Sequence, residues 1–368
     1  MIQHAKFQNF KALRNVDITF SSRLTVFVGP NGSGKTSVLQ GIHFLTQLAV
    51  LKPADQDYDL AKIPDLYSAG ANAVLSLEIS GTRNAPGHYR ILIEQSQLYI
   101  ISGFLSYETQ NHPTLWSVRS EQVNREWQPM VRHEGFDFPH AILFDTSAFI
   151  RFGAARLAAP TLIRNYPPQI GRDGTGLAAT LGYIKSKYPE RFEEIVSAFC
   201  RVIPGVVGVR FDKERVPDVG AYEDVLLLDF KGAKGVIANQ VSSGTLFALG
   251  LLTVLLAPES PNVVLLDDLD HGLHPKAQME LVDVFRKLIE QNPNLQIIAT
   301  SHSPYILDRL EWNEVKVTAL HDDGSAICVP LTDHPLYPKW KEAMSPGEFW
   351  SHGGEEWVKN GKKEPVAT

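Results

Sequence analysis

The 368-residue chain is short of several things, and each shortage removes a class of protein. It has two cysteines, Cys200 and Cys328, too few for a disulfide framework or a four-cysteine zinc site and in keeping with a reducing compartment. Its longest nearly apolar run, Leu246 to Ala257, falls short of the ~20 residues that a bilayer-spanning helix needs. The opening residues lack a charged-then-apolar leader. A cytoplasmic protein without a membrane partner is therefore expected. Basic residues are outnumbered, 35 Lys+Arg against 41 Asp+Glu for a net charge of −6. That balance argues against nucleic-acid binding by bulk charge, although a local basic groove can coexist with it. Heptads long enough for a coiled coil and internal repeats are also missing. What remains, 44% hydrophobic and 21% charged residues, is ample material for a globular core.

Against that background one stretch stands out, Gly29-Pro30-Asn31-Gly32-Ser33-Gly34-Lys35-Thr36, which satisfies G-x-x-x-x-G-K-[ST] in the setting that motif requires. An apolar run, Leu24 to Val28, precedes it and reads as a buried strand. An amphipathic run with Val38, Leu39, Ile42 and Leu45 follows and reads as a helix. Glycines let successive backbone N–H groups turn around phosphates, and the helix adds the positive end of its dipole. Asn31, Gly32, Ser33, Gly34, Lys35 and Thr36 are thus candidate nucleotide contacts. Lys35 is placed to reach the β- and γ-phosphates and the Thr36 hydroxyl to ligate Mg²⁺. The alternative is an ordinary Gly-rich turn.

Four later segments carry further signals. Asn262 to Asp268 is an apolar strand ending in two carboxylates, the form of a Walker B element. In that role Asp267 holds Mg²⁺ and Asp268 polarises the attacking water. Ser242-Ser243-Gly244-Thr245 opens the run to Ala257; Ser242 and Gly244 are either a plain helix cap or part of a second anion site. Leu295 to Thr300 reads as a strand delivering His302 to the sheet edge where ligands bind in open α/β folds, against the alternative of a structural histidine. His271 and His274, three apart in a loop, are weak metal ligands without further donors.

The connecting sequence is read more coarsely. Ile2 to Phe7 and Val16 to Phe20 are expected strands, with Asn9 to Arg14 between them as either a base-contacting turn or a solvated hairpin turn with a core phenylalanine. Lys52 to Asn72 reads as a connecting loop, and Val74 to Val131 as a β-meander flanking the nucleotide. Ala141 to Phe144 reads as another strand, and Arg151 to Pro168 as a surface excursion. Helices are expected over Leu177 to Lys187, Pro189 to Val202 and Lys276 to Glu290, and strands over Val206 to Phe211, Val225 to Phe230 and Val236 to Gln240. The expected division is an N-terminal lobe over 1–150, an inserted helical and β lobe over 151–240, a C-terminal lobe over 241–330 and a short extension over 331–368.

Taken in order, GPNGSGKT, SSGT, LLDDLDHGLHP and ATSHSP resemble the ABC-type ATPases of the RecF/SMC and OLD branch. More narrowly, the chain is similar to compact bacterial AAA-type ATPases of OLD-like kind found in phage-defence systems. Phe10-Lys11-Ala12-Leu13, Asp173 to Leu177 and Pro189 to Phe192 match the same pattern. The resemblance implies an α/β head with a mixed sheet, a flanking antiparallel β-meander and a compact helical lobe. It implies ATP and Mg²⁺ as cofactors and hydrolysis as the activity. Ser242 and Gly244 become a signature that caps the γ-phosphate of another subunit, His274 part of a D-loop, and Asp268 and His302 the catalytic position and switch histidine. Asp268 departs from the family's usual glutamate, and no Q-loop glutamine is assigned. A signature and a phosphate loop in one chain cannot close on the same nucleotide, so the resemblance implies an ATP-dependent homodimer or higher oligomer. The forty or so residues after Pro330 are too few for the nuclease domain some relatives carry, so a separate effector, such as a nuclease, is the expected partner. A RecF-like DNA clamp is the alternative.

Overall fold

The computed structural model describes residues 1–50, 75–82, 86–95, 99–107, 117–123, 126–132, 147–160, 166–215 and 222–359. The N-terminal strands β1 (Ile2–Phe10), β2 (Leu13–Thr19) and β3 (Leu24–Val28) lead into helix α1 (Lys35–Val50). Strands β4 (Leu75–Thr82), β5 (Pro86–Gln95), β6 (Tyr99–Tyr107), β7 (Ser117–Val123) and β8 (Glu126–Arg132) follow. β4 to β6 extend β2 and β1 into an antiparallel sheet of order β2-β1-β4-β5-β6, and β7-β8 is a separate hairpin. The expected meander is thus present and is continuous with the first strand. The expected loop over 52–72 and strand over 141–144 lie outside the described residues.

The second half alternates strands and helices. β9 (Ser147–Ile150) is followed by α2 (Ala154–Ala158), α3 (Leu177–Lys187), α4 (Pro189–Val202) and the strands β10 (Val206–Arg215), β11 (Tyr222–Phe230) and β12 (Ala233–Ile237). Then come α5 (Ser243–Leu256), β13 (Val263–Leu266), α6 (Pro275–Gln291), β14 (Gln296–Thr300) and α7 (Pro304–Leu307). β15 (Val315–Leu320), β16 (Ala326–Pro330), α8 (Tyr337–Trp340), α9 (Pro346–Gly353) and α10 (Glu356–Lys359) complete the described chain.

The sheet that positions the site has the order β16-β15-β3-β14-β13-β9. All its pairings are parallel except β15 with β16. Parallel strands covered on both faces are apolar throughout, and β3, β13 and β14 are buried at every position. Period-two alternation splits their side chains between two cores. Leu24, Val26, Val28, Val264, Leu266, Ile297 and Ala299 face a cluster with α3 to α6. Phe27, Phe149, Val263, Leu265 and Ile298 face α1 and the β1-β2 hairpin. Residues of 151–240 and 241–330 share the first cluster, and Leu331, Phe349 and Val358 of the extension join it.

Two local readings are corrected and a third is decided. The stretch expected as a surface excursion from Arg151 contains α2, whose Leu157 is buried against the large core; one apolar residue in a five-residue helix leaves no periodic signal. The strand expected over Val236–Gln240 ends at Ile237 and closes as a 3-10 turn over Ala238–Gln240. In the turn before Leu13, Phe10 is fully buried, as the hairpin reading with a core phenylalanine expects, and Lys11 Nζ donates to Gln40 Oε1 at 2.6 Å.

Candidate nucleotide site

The carboxyl ends of β3, β14, β13 and β9 lie side by side, and the loops that leave them build the site, as in open parallel sheets generally. Gly29 leaves β3 with φ +141°, and a Cβ there would sit 2.1 Å from the Thr318 carbonyl oxygen on the neighbouring β15, so only glycine fits. The loop then turns into α1. At Gly32, φ +79°, a Cβ would meet nothing within 4 Å, so glycine is favoured there by backbone conformation and not by crowding.

Lys35 folds across this loop. Its Nζ donates to the Gly29 carbonyl at 2.9 Å and the Pro30 carbonyl at 2.8 Å. Burial pushes the ammonium below the usual lysine value, opposed by the nearby charges of Asp268, Asp267, Asp270 and Glu355. A desolvated lysine ringed by carboxylates is a cation held ready for an incoming anion. The Ser33 hydroxyl is buried and lies 2.6 Å from Thr318 Oγ1 on β15, which leaves its backbone N–H as the group the loop reading assigns to phosphate. Asn31 and Gly32 are exposed at the loop's tip.

Asp267 follows β13 and is buried, with the side chain 1% exposed. Its Oδ1 accepts from Thr36 Oγ1 and from Thr300 Oγ1, both at 2.9 Å. A hydroxyl and a carboxylate in contact are hard oxygen donors of the kind Mg²⁺ selects, so this pair fits the ion that the resemblance implies. Asp268 is exposed and takes φ +56°, while its N–H donates to Thr300 Oγ1 at 2.9 Å. That left-handed turn redirects the chain so that neighbouring carboxylates diverge, one buried and one open to solvent. His302 is exposed at the end of β14, its N–H donating to Asp270 Oδ1 at 3.1 Å; Ser301 Oγ donates to the same oxygen at 2.7 Å. Lys35 and Thr36 on the first turn of α1, and Asp267, Asp268 and His302 on the loops after β13 and β14, thus lie at one edge of the sheet.

Ser242 and Gly244 belong to a different hollow. Ser242 caps α5, its Oγ accepting from the Thr245 N–H at 3.3 Å. Gly244 lies so close to the loop after β13 that a Cβ would stand 2.0 Å from the Gly272 carbonyl oxygen. A depression of about 280 Å³ is lined by Ser242, Gly244, Thr245, Gly272 and His274 among others, and by none of the phosphate-loop residues. His274 itself caps α6 through its Nδ1, accepting from the Lys276 N–H at 3.3 Å, and the His271 ring packs against Phe247.

Sequence reasoning missed three contributors. Thr300 bridges both aspartates, and Asp270 ties the loop after β13 to the loop after β14. Arg151, at the end of β9, brings its Nε to 3.7 Å from Asp267 Oδ2. Only the strand order could have shown these, because each partner comes from a different strand.

Fold and site together define an ABC-type ATPase head. Residues 24–308 match the model of the family described as AAA domain, putative AbiEii toxin, Type IV TA system, and the chain belongs to that family. It is similar to the DNA double-strand break repair Rad50 ATPase of Methanococcus maripaludis, 23% identical over 142 residues, which are 39% of this chain and 13% of that one. It is similar also to the DNA replication and repair protein RecF of Anaeromyxobacter sp., 36% identical over 83 residues (23% and 20% of the two chains). RecF of Lactobacillus acidophilus is 30% identical over 103 residues (26% and 27%). The chain therefore spans about a quarter or less of these relatives. In fold it is similar to the SmcHead bound to the C-winged helix domain of ScpA (TM-score 0.55, 15% identity, 92% of this chain and 99% of that). A similar match is the Smc head domain with an extended coiled coil bound to the C-terminal domain of ScpA, derived from Pyrococcus furiosus (TM-score 0.56, 13%, 93% and 98%). Among the described residues no helix is long and apolar enough to cross a membrane.

Proposed function

We propose that the protein binds and hydrolyses ATP, pairs head to tail with a second copy when ATP is bound, and in that state gates a separate effector in antiphage defence, in line with its resemblance to OLD-like ATPases. The observation that carries the pairing is the separation of two candidate anion-binding features on one chain: Lys35 and Thr36 on the first turn of α1, and the capped start of α5 at Ser242 in a hollow that none of the phosphate loop lines. One nucleotide bridging the two features needs two copies.

In this reading Asn31, Gly32 and Gly34 present the loop backbone to the phosphates, and Lys35 exchanges its two carbonyl partners for phosphate oxygens. Thr36 and Asp267 hold Mg²⁺, which when bound offsets charge on the phosphates. Asp268 accepts the proton of the attacking water, and His302 donates to the terminal phosphate. Ser242 and Gly244 of the second copy close the site with the helix start. Light scattering on purified protein tests this: ATP with Mg²⁺ is expected to double the mass and ADP is not, and a monomer that retains ATP would contradict the pairing.

A second reading, a RecF-like DNA clamp, is favoured by the RecF identities of 36% and 30%. It requires nucleotide-dependent DNA affinity that falls with salt, with a slope set by the number of phosphates contacted; titration with duplex and gapped DNA separates the two readings.

A further inference from the structure

The cation beside the buried carboxylate has no part in the reading above. β9 pairs in parallel with β13 so that Ile150 stands opposite Leu266, and the Asp267 N–H donates to the Ile150 carbonyl at 3.0 Å. Arg151 is therefore delivered to the same level of the sheet edge as Asp267. Its own N–H is fixed by the Arg172 carbonyl at 3.0 Å. The guanidinium approaches Asp267 Oδ2 at 3.7 Å, and the arginine side chain is 61% exposed while that of Asp267 is 1% exposed. A buried carboxylate is thus covered from the solvent side by a mobile-stemmed cation. Thr36 and Thr300 supply only neutral hydroxyls to Asp267; among the described residues Arg151 forms the ion pair with it, with the Lys35 charge nearby.

Two physical facts limit what this pair can do. A guanidinium does not lose its proton at any working pH, so when a divalent cation takes its place on Thr36 and Asp267 the arginine must find another anion. Arginine is also suited to phosphate, whose oxygens its planar fork meets two at a time. The strand order places that anion. The phosphate loop leaves β3, and Arg151 leaves β9 three strands away in the order β3-β14-β13-β9, roughly 14 Å at the usual strand spacing. A phosphate chain seated on the loop and running toward Asp267 presents its outermost group to the β9 side.

We propose that Arg151 is the residue by which this site tells a nucleoside triphosphate from a diphosphate: a stand-in counter-ion on Asp267 in the nucleotide-free protein, released to the terminal phosphate when the magnesium nucleotide binds. The inference rests on the ATP site described above. It assigns Arg151 to substrate discrimination, a role that a permanent structural ion pair would not have.

Equilibrium binding of a fluorescent non-hydrolysable ATP analogue and of fluorescent ADP, each with Mg²⁺, tests this with no turnover involved. Arg151→Ala is expected to weaken the triphosphate about tenfold or more, as for one lost charge-assisted contact, while changing ADP affinity less than about twofold. Arg151→Lys is expected to recover part of the loss, because charge is kept and the fork is not. Thermal melting of both variants in the absence of nucleotide accompanies the titrations. Equal weakening of both nucleotides with a lowered melting temperature would make the pair structural and overturn the inference, as would unchanged affinities. Should Arg151→Ala fail to fold, the ratio of triphosphate to diphosphate affinity in Arg151→Lys decides: reduced supports the inference, unchanged overturns it. Wild-type protein that binds neither nucleotide would instead overturn the ATP site itself.

Discussion

Thr36 Oγ1 donates to Asp267 Oδ1 at 2.9 Å, across 231 residues of sequence. This contact joins the first turn of α1 to the end of β13, and it exists because β14 lies between β3 and β13 and aligns their carboxyl ends. Two oxygens that are far apart along the chain are thereby brought together, and would supply two of the roughly six oxygen ligands of Mg²⁺.

Removing either oxygen tests that shell. Thr36→Ala and Asp267→Asn are expected to lower steady-state phosphate release about 100-fold, the scale of several kcal/mol of lost charge stabilisation. Both are expected to raise the Mg²⁺ concentration needed for half-maximal ATP binding. Unchanged Mg²⁺ dependence in both variants would remove these residues from the metal site.

Asp268 separates binding from turnover. Its φ of +56° is one that asparagine tolerates well, so Asp268→Asn is expected to keep the melting temperature and ATP affinity while hydrolysis falls about 100-fold, the range for a lost general base. Single-turnover kinetics alongside equilibrium binding measures both. Loss of ATP affinity with the rate would place Asp268 in binding instead.

Gly244 tests the contact between α5 and the loop after β13. A methyl group there meets the Gly272 carbonyl at 2.0 Å, and Gly244→Ala is expected to destabilise the fold by about 1–3 kcal/mol, as overpacking does. Urea unfolding checks the magnitude, and an unchanged unfolding midpoint would show that the α5 start and the loop after β13 can separate without cost.

His43, on α1 behind the phosphate loop, gives a pH signature. Burial, helped by the Arg172 charge, depresses its pKa to about 4 from 6.5. The folded protein therefore keeps it neutral, whereas the unfolded chain takes up a proton below about pH 6.5, so stability rises with pH through this window and is lost as pH falls from 6.5 toward 4. Denaturation profiles are expected to show up to about 3 kcal/mol of acid sensitivity between pH 7 and 4, reduced in His43→Gln. Parallel profiles for the two proteins would assign the acid sensitivity to other groups.

What the sequence made legible was whatever is contiguous along it. The phosphate loop is a run of eight residues whose strand and helix context is local, and Asp267, Asp268 and His302 follow short apolar runs that form buried strands. Ser33 shows the limit even inside a motif: its place in the loop is fixed by spacing, but the direction of its hydroxyl is set by Thr318 on β15, which no local pattern foretells. Arg151 was read as surface because it starts a polar, proline-containing stretch. Its meaning comes from β9 pairing with β13, a long-range register that single-sequence periodicity does not carry. Leu157 was hidden for a similar reason, since its burial depends on α5 packing over a helix too short to show a face.

The central claim is that one ATP is held by the phosphate loop of one copy and the α5 start of another. Mixing Lys35→Ala protein with a Ser242→Arg variant, each inactive alone, tests it most directly. In a mixed pair one site carries both lesions and the other carries neither, so phosphate release is expected to reappear on mixing, to roughly a quarter of the wild-type rate for random pairing of equal amounts with independent sites. Inactivity that persists in the mixture, with both variants folded and forming mixed dimers, would contradict a site shared between two copies.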